Sequence, residues 1–197
     1  MDNHHYHYKL YKPVGYLSQF VNNQSRRKNK KLLGELFDFH PDTMAIGRLD
    51  ENSEGLLLLT TNGKLSYKIL SKNYEKEYFV QLDGEITEAA ISQLQKGVAV
   101  SINGKPYNTK PCAVRKIKTP GLPAPQRPIK PSGNNKTSWV SIILNEGKFR
   151  QVRKMTSAVG FPTLRLVRVR VAEETIDDML IGEVLQRQVF QLEPRTP

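Results

Sequence analysis

A chain of 197 residues with one cysteine, Cys112, forms no internal disulfide and has room for one folding unit, or for two small lobes sharing a core. Lys plus Arg at 30 against Asp plus Glu at 19 gives a formal charge of +11 and a pI near 9.7, which points to a polyanionic partner without separating RNA from DNA or an anionic membrane surface. No apolar run has membrane length and no leader pattern opens the chain, so a soluble, cytoplasmic protein is expected.

His4, His5 and His7 crowd a start that has no apolar pattern. A metal site there needs a further ligand, and the expectation is a loose, solvated terminus over residues 1–7. Tyr8 to Leu17 then reads as a short strand running into a Pro-Gly turn. The basic run Ser25 to Lys31 follows, and it is either a solvated loop or a phosphate contact. Leu32 to Phe37 suits a short helix, and Met44 to Leu49 a strand that delivers Asp50 to its end. Leu56 to Leu59 is an apolar run that reads as a strand buried on both faces. The preceding carboxylate, Asp50, is therefore carried to the rim of a core, where a charge needs a partner or a task.

Thr61-Asn62-Gly63 turns the chain, and Leu65, Ile69 and Leu70 have the spacing of a short amphipathic helix. Tyr78 to Leu82 is rich in β-favouring residues. Thr87 is placed to cap a helix that carries Ala90, Ile91 and Leu94 and ends at Gly97. Asn103-Gly104 is a hairpin signal joining Val98–Ile102 to Tyr107–Ile117. From Thr119 to Lys136, five prolines and two glycines exclude both a helix and a central strand, leaving a long loop. Trp139 to Leu144 resumes as a strand, Phe149 to Val159 as a helix and Leu164 to Val171 as the last clear strand. Hairpin-linked strands interleaved with a few helices predict an α+β fold with a largely antiparallel sheet.

In the helix expected over Phe149 to Val159, one stripe holds Phe149, Val152, Met155 and Val159, and the other side Arg150, Arg153 and Lys154. Cations near a helix start oppose its partial positive charge, so a phosphate or a carboxylate such as Asp50 is expected there. In the last strand, Arg168 and Arg170 fall on one face and Val167, Val169 and Val171 on the other, which predicts one basic and one buried face.

Three separated motifs then coincide: GRLDENSEGLLLLTTNG from Gly47, KEYFVQLDG from Lys76 and NEGKFRQVRKM from Asn145. In this order they closely resemble the pseudouridine synthases of the RsuA-like branch, which modifies ribosomal RNA. The likeness runs from about Leu10 to about Glu183. YKPVGYLSQF and FPTLRLVRVRV look most like the large-subunit pseudouridine synthase E group. The resemblance implies a pseudouridine synthase-like α+β fold, with helices and loops flanking a central catalytic cleft. It also implies isomerisation of uridine to pseudouridine in ribosomal RNA, without cofactor or metal.

On matching positions, the resemblance makes Asp50 the catalytic carboxylate, either as nucleophile at C1′ or as the base that starts a glycal route. Arg153 becomes its ion-pair partner, and Tyr78 a ring that stacks on the uracil and helps take the C5 proton. A flipped-out uridine requires phosphate contacts, for which Arg26, Arg27, Lys28, Arg150, Arg168 and Arg170 are the candidates. Arg48 joins them as a cation beside the site, while Arg48 and Glu54 also read as structural members of the turn. Relatives often carry an extra N-terminal domain of the S4 type, and with so short a stretch before Asp50 none is expected here. The expected organisation is a single catalytic domain over 8–185, with two sublobes on one sheet, followed by a tail over 186–197. It is expected to act as a monomer with ribosomal RNA as its partner and no obligate protein partner. Two other readings use the same residues: a non-catalytic RNA-binding or ribosome-assembly protein, and a glycoside hydrolase pairing Asp50 with Glu54.

Overall fold

The computed structural model describes residues 4–22, 29–71, 74–133 and 136–193. In chain order these form β1 (His7–Lys12), a single 3-10 turn (Leu33–Glu35), β2 (Met44–Ala45), β3 (Glu54–Thr60), α1 (Gly63–Ser71) and β4 (Lys76–Asp83). They continue with α2 (Glu88–Lys96), β5 (Ala99–Ile102), β6 (Lys105–Asn108), β7 (Ala113–Ile117), β8 (Thr137–Leu144), α3 (Gln151–Ala158), β9 (Thr163–Val171), β10 (Glu174–Thr175) and β11 (Val184–Arg187). The chain divides into two compact units, residues 1–74 with 168–197, and residues 75–167, so β9 contributes to both. The α+β class with mostly antiparallel pairing is the one expected from the hairpin signals.

In the first unit the strand order is β11-β1-β3-β9, with β2 on β3 and β10 on β9. β1 is antiparallel to both neighbours, with Tyr8 opposite Leu59 and Leu10 opposite Leu57. Every residue of β3 is buried, which is why its sequence runs without alternation. Leu57 and Leu59 pack with Tyr8, Leu10 and Leu33 in one cluster, covered by Phe20 and Phe39. Gly55 is obligatory here. Its φ is +106° and a Cβ would lie 2.3 Å from the Arg168 carbonyl oxygen, so no side chain fits between β3 and β9. The one charge facing inward from the middle of β1, Lys9, is only 5% exposed and meets buried Glu174 at 3.3 Å.

Several expected boundaries are corrected in this unit. The terminus is not loose through residue 7: His7 is buried in β1, its Nδ1 is 2.8 Å from Thr60 Oγ1, and its ring packs on Phe190. Burial, with His5 and His4 nearby, holds the His7 imidazole below its ordinary pKa. The expected tail is in part sheet, since β11 pairs with β1 and Phe190 is buried. The strand predicted over Met44–Leu49 shrinks to two residues because Gly47, at φ +74°, turns the chain toward Asp50. In α1 only Ile69 of the predicted stripe is fully buried, and Leu70 is 52% exposed.

In the second unit the order is β9-β4-β8-β7. β4 and β8 pair antiparallel along their full length, and Tyr78, Val80 and Leu82 share the buried face of β4. α2 starts where Thr87 Oγ1 accepts from Ala90 N–H and stops at Gly97, as read from the sequence. It lies against β7, with Gln95 Nε2 donating to the Val114 carbonyl at 2.8 Å. The Asn103-Gly104 hairpin is present, but its second arm ends at Asn108. Thr109 N–H turns in to the Val98 carbonyl at 3.0 Å, and Pro111 has no N–H to extend the ladder, so β7 starts afresh and pairs with β8. The proline-rich loop carries no helix or strand among its described residues and is tied down where buried Arg165 donates to the Pro123 carbonyl at 2.9 Å.

Candidate active site

Asp50 belongs to the first unit, and Tyr78 and Arg153 to the second. Asp50 is half-buried at the first corner of a turn closed by Ser53 N–H on the Asp50 carbonyl at 3.0 Å. This turn is fastened on several sides. Ser18 Oγ accepts from Leu49 N–H at 2.9 Å and donates to the Leu49 carbonyl at 2.8 Å. Gly15 N–H donates to the Glu51 carbonyl at 2.7 Å, and Lys30 bridges the Glu51 carboxylate at 2.7 Å. Leu49, the residue before Asp50, is 6% exposed and roots the turn in the core. A carboxylate held in this way pays little reorganisation when it acts.

Beneath the turn lies Lys12, fully buried at the end of β1. Its ammonium nitrogen donates to the Pro13 and Tyr16 carbonyls, each at 2.8 Å, which fixes the loop that holds Glu51. Burial pulls its pKa down to about 7 against the opposing pull of Glu54, Asp50 and Glu51, with Arg168 adding to the depression. Glu54 is itself only 2% exposed. Ser53 is 1% exposed, and its hydroxyl makes no hydrogen bond to a described residue. Sequence pattern alone assigns Lys12 no task. The available signal was a lysine between an apolar strand and a proline, where a solvated cation is out of place.

Tyr78 is 9% exposed and stands opposite Ile142. Arg153 is half-buried on α3, with Nη1 3.4 Å from the Thr163 carbonyl. α3 begins at Gln151, not Phe149, because Arg150 takes a left-handed conformation (φ 54°, ψ 33°) that a helix cannot contain. Phe149 therefore leaves the predicted apolar stripe and is 58% exposed, while Val152 and Met155 remain buried. Before the helix lies a carboxylate that the sequence reading missed, Glu146. It is 7% exposed and accepts from Lys110 N–H at 3.0 Å, from Gln151 Nε2 at 2.5 Å and from the Tyr107 hydroxyl. Burial alone would raise its pKa, but these hydrogen bonds outweigh it and leave the carboxyl below its ordinary range. The same bond to Glu146 raises the Tyr107 hydroxyl.

Of the expected phosphate contacts, Arg168 is corrected. It is 4% exposed and its Nε donates to the Leu56 carbonyl at 2.8 Å, so it clamps β9 to β3 and does not face solvent. The face expected to be basic fails because β9 is covered on both sides. Arg170 is half-buried with Nη1 2.8 Å from the Ala172 carbonyl, Arg150 is half-buried, and Arg48 is exposed. Arg26, Arg27 and Lys28 lie outside the described residues. Among the described residues, no group of three or more His, Cys, Asp or Glu side chains is arranged to hold a metal, and no helix is long and apolar enough to cross a membrane.

A sequence model of the family described as RNA pseudouridylate synthase matches residues 6–158. The chain belongs to this family. As a pseudouridine synthase it is an isomerase that moves uracil from an N-glycosidic to a C-glycosidic bond. It is 38% identical over 176 residues to the ribosomal large subunit pseudouridine synthase E of Vibrio parahaemolyticus, covering 87% of this chain and 69% of that protein. The protein of the same name from Xanthomonas axonopodis pv. citri is 39% identical over 175 residues, covering 85% of this chain and 86% of the relative. The ribosomal large subunit pseudouridine synthase B of Yersinia pestis is 36% identical over 132 residues, covering 66% of this chain and 36% of the relative. The synthase fold has a counterpart in a crystal structure of a pseudouridylate synthase, with TM-score 0.72 and 23% identity, covering 93% of this chain and 70% of that one.

Proposed function

We propose that this synthase converts a uridine of large-subunit ribosomal RNA to pseudouridine, with Asp50 as the carboxylate that acts at the ribose. The observation that carries the assignment is the turn at Asp50, braced through Leu49, Glu51 and the buried Lys12 yet leaving the carboxylate half-exposed. The names and identities of the relatives support ribosomal RNA of the large subunit as the substrate.

In the reaction the C1′–N1 bond breaks, uracil turns, a C5–C1′ bond forms, and the C5 proton leaves while N1 gains one. Atoms and electrons balance within the nucleotide, so no oxidant, water or phosphoryl donor is consumed. Asp50 either attacks C1′ or removes the sugar proton that opens the glycal route. In this reading the family motifs give Arg153 the role of cationic partner and Tyr78 that of the ring that stacks on the detached base and assists departure of the C5 proton. The target uridine must leave its stack to be reached, at a cost of a few kcal/mol that backbone contacts offset.

Release of tritium from large-subunit RNA labelled at uridine C5 tests the assignment. Wild-type protein releases label, and Asp50→Asn lowers the rate by about 10² to 10⁴ or more. Equal release by wild type and Asp50→Asn removes Asp50 from the chemistry. Label release from small-subunit RNA alone overturns the substrate.

A further inference from the structure

We propose that Phe149, with the ammonium groups of Lys148 and Lys154, forms a stacking subsite for an unpaired RNA nucleotide next to the motif helix. The ring is 58% exposed although Val152 and Met155, a few residues on, are buried at 5% and 0%. Its exposure is built in. Gln151 Oε1 accepts from Lys148 N–H at 3.0 Å, Gln151 N–H donates to the Lys148 carbonyl at 3.1 Å, and Gln151 Nε2 is anchored on buried Glu146. With Arg150 in the left-handed region, this frame turns Phe149 away from the apolar side of α3.

One cation lies over the exposed ring, and the residue before Phe149 supplies a second on a neighbouring ring. Lys154 Nζ lies 5.2 Å from the Phe149 centroid and is fixed by a 2.6 Å hydrogen bond to the Ser101 carbonyl. Lys148 Nζ lies 5.2 Å from the Tyr107 centroid. An ammonium has three donors, so both lysines retain N–H groups after these contacts. An aromatic face beside fixed ammonium groups matches a nucleotide, whose base stacks while its phosphate accepts from the cations. An acidic peptide would use the charges but leave the ring's flat surface without a matching partner. The charge of +11 places the same preference on the whole chain.

The inference rests on the proposed RNA substrate, and its test separates the two. For tritium release from large-subunit RNA, Phe149→Ala raises KM about ten-fold or more, the size of one lost base stack, with kcat within about two-fold. Phe149→Trp restores KM, and Phe149→Leu, of similar volume without a ring, does not. The only native tryptophan, Trp139, is 7% exposed, so added RNA quenches mainly the emission of the indole introduced in Phe149→Trp. Equal KM for Phe149→Ala and wild type, or full recovery by Phe149→Leu, overturns the subsite. If wild-type protein releases no tritium, the proposed function fails on its own. The subsite is then judged by binding of a single-stranded oligouridylate to wild type and Phe149→Ala, where equal affinity overturns it. Binding of polyglutamate that depends on Phe149 as strongly as oligouridylate binding does also overturns it, in favour of a protein partner.

Discussion

At the scale of single residues, Lys12 couples the turn at Asp50 to pH. Its native pKa of about 7 lies below the value of about 10.4 for an unfolded lysine, so between these limits the unfolded chain binds more protons and stability rises with pH. The contribution is fully lost once pH falls below 7, where the folded protein must hold a buried ammonium. A neutral amine keeps two N–H groups, enough for the Pro13 and Tyr16 carbonyls. Cys112, held up to about 11 by burial, and Tyr107 act in the opposite direction at higher pH, so the clean window is pH 7 to 8.5. Urea unfolding across that window is expected to show stability rising by up to about 1 kcal/mol per pH unit. In Lys12→Met the rise disappears, and the two orphaned carbonyls cost about 1 to 3 kcal/mol at pH 8.5. A wild-type slope of zero would mean that Lys12 titrates as an exposed lysine.

Among the elements, Glu146 joins the β5–β6 hairpin to the start of α3, since Tyr107 is on β6 and Gln151 opens the helix. Its lowered pKa means that the carboxylate stabilises the fold above the unfolded value of about 4.3, and that this is lost as pH falls through the native value. Glu146→Gln replaces one acceptor oxygen by a donor facing other donors, so a loss of about 2 to 4 kcal/mol is expected at pH 7. Faster amide exchange should appear in β5, β6 and the first turn of α3, with β4 and β8 unaffected. Unchanged exchange in the hairpin would remove Glu146 as the tie.

The same elements show where sequence was sufficient. α2 was readable from end to end because its cap, its stripe and its terminal glycine are local signals, and the β3 leucines declared their burial by running unbroken. The start of α3 was not readable, because a lone arginine in the left-handed region is held there by Gln151 and Glu146, and helical spacing alone admits Phe149 into the stripe. Arg168 was misread because period two gives the face of a side chain but not whether that face is covered. Lys12 went unassigned because its partners are backbone carbonyls, which leave no mark on composition, and Glu146 because Tyr107 and Lys110 reach it from distant sequence.

For the whole molecule, the net charge of +11 implies that RNA affinity falls steeply with salt, and burial decides which cations contribute. Each phosphate neutralised on a single strand contributes about 0.7 to the slope of log affinity against log salt. Lys148 is exposed, so Lys148→Ala should lower that slope by about one such increment while leaving the unfolding midpoint in place. Replacing Arg26, Arg27 and Lys28 together by alanine should lower it by about three increments if the basic run meets phosphate, and by none if it is only solvated. Arg168→Ala should behave in the reverse sense. Its guanidinium is spent on the Leu56 carbonyl inside the first unit, so the salt slope holds and the thermal midpoint drops. Filter binding of large-subunit RNA from 50 to 300 mM salt, read beside thermal melts of the same variants, separates the two classes. A shallower slope for Arg168→Ala with an unchanged midpoint would return that arginine to the RNA surface and remove the clamp between β3 and β9.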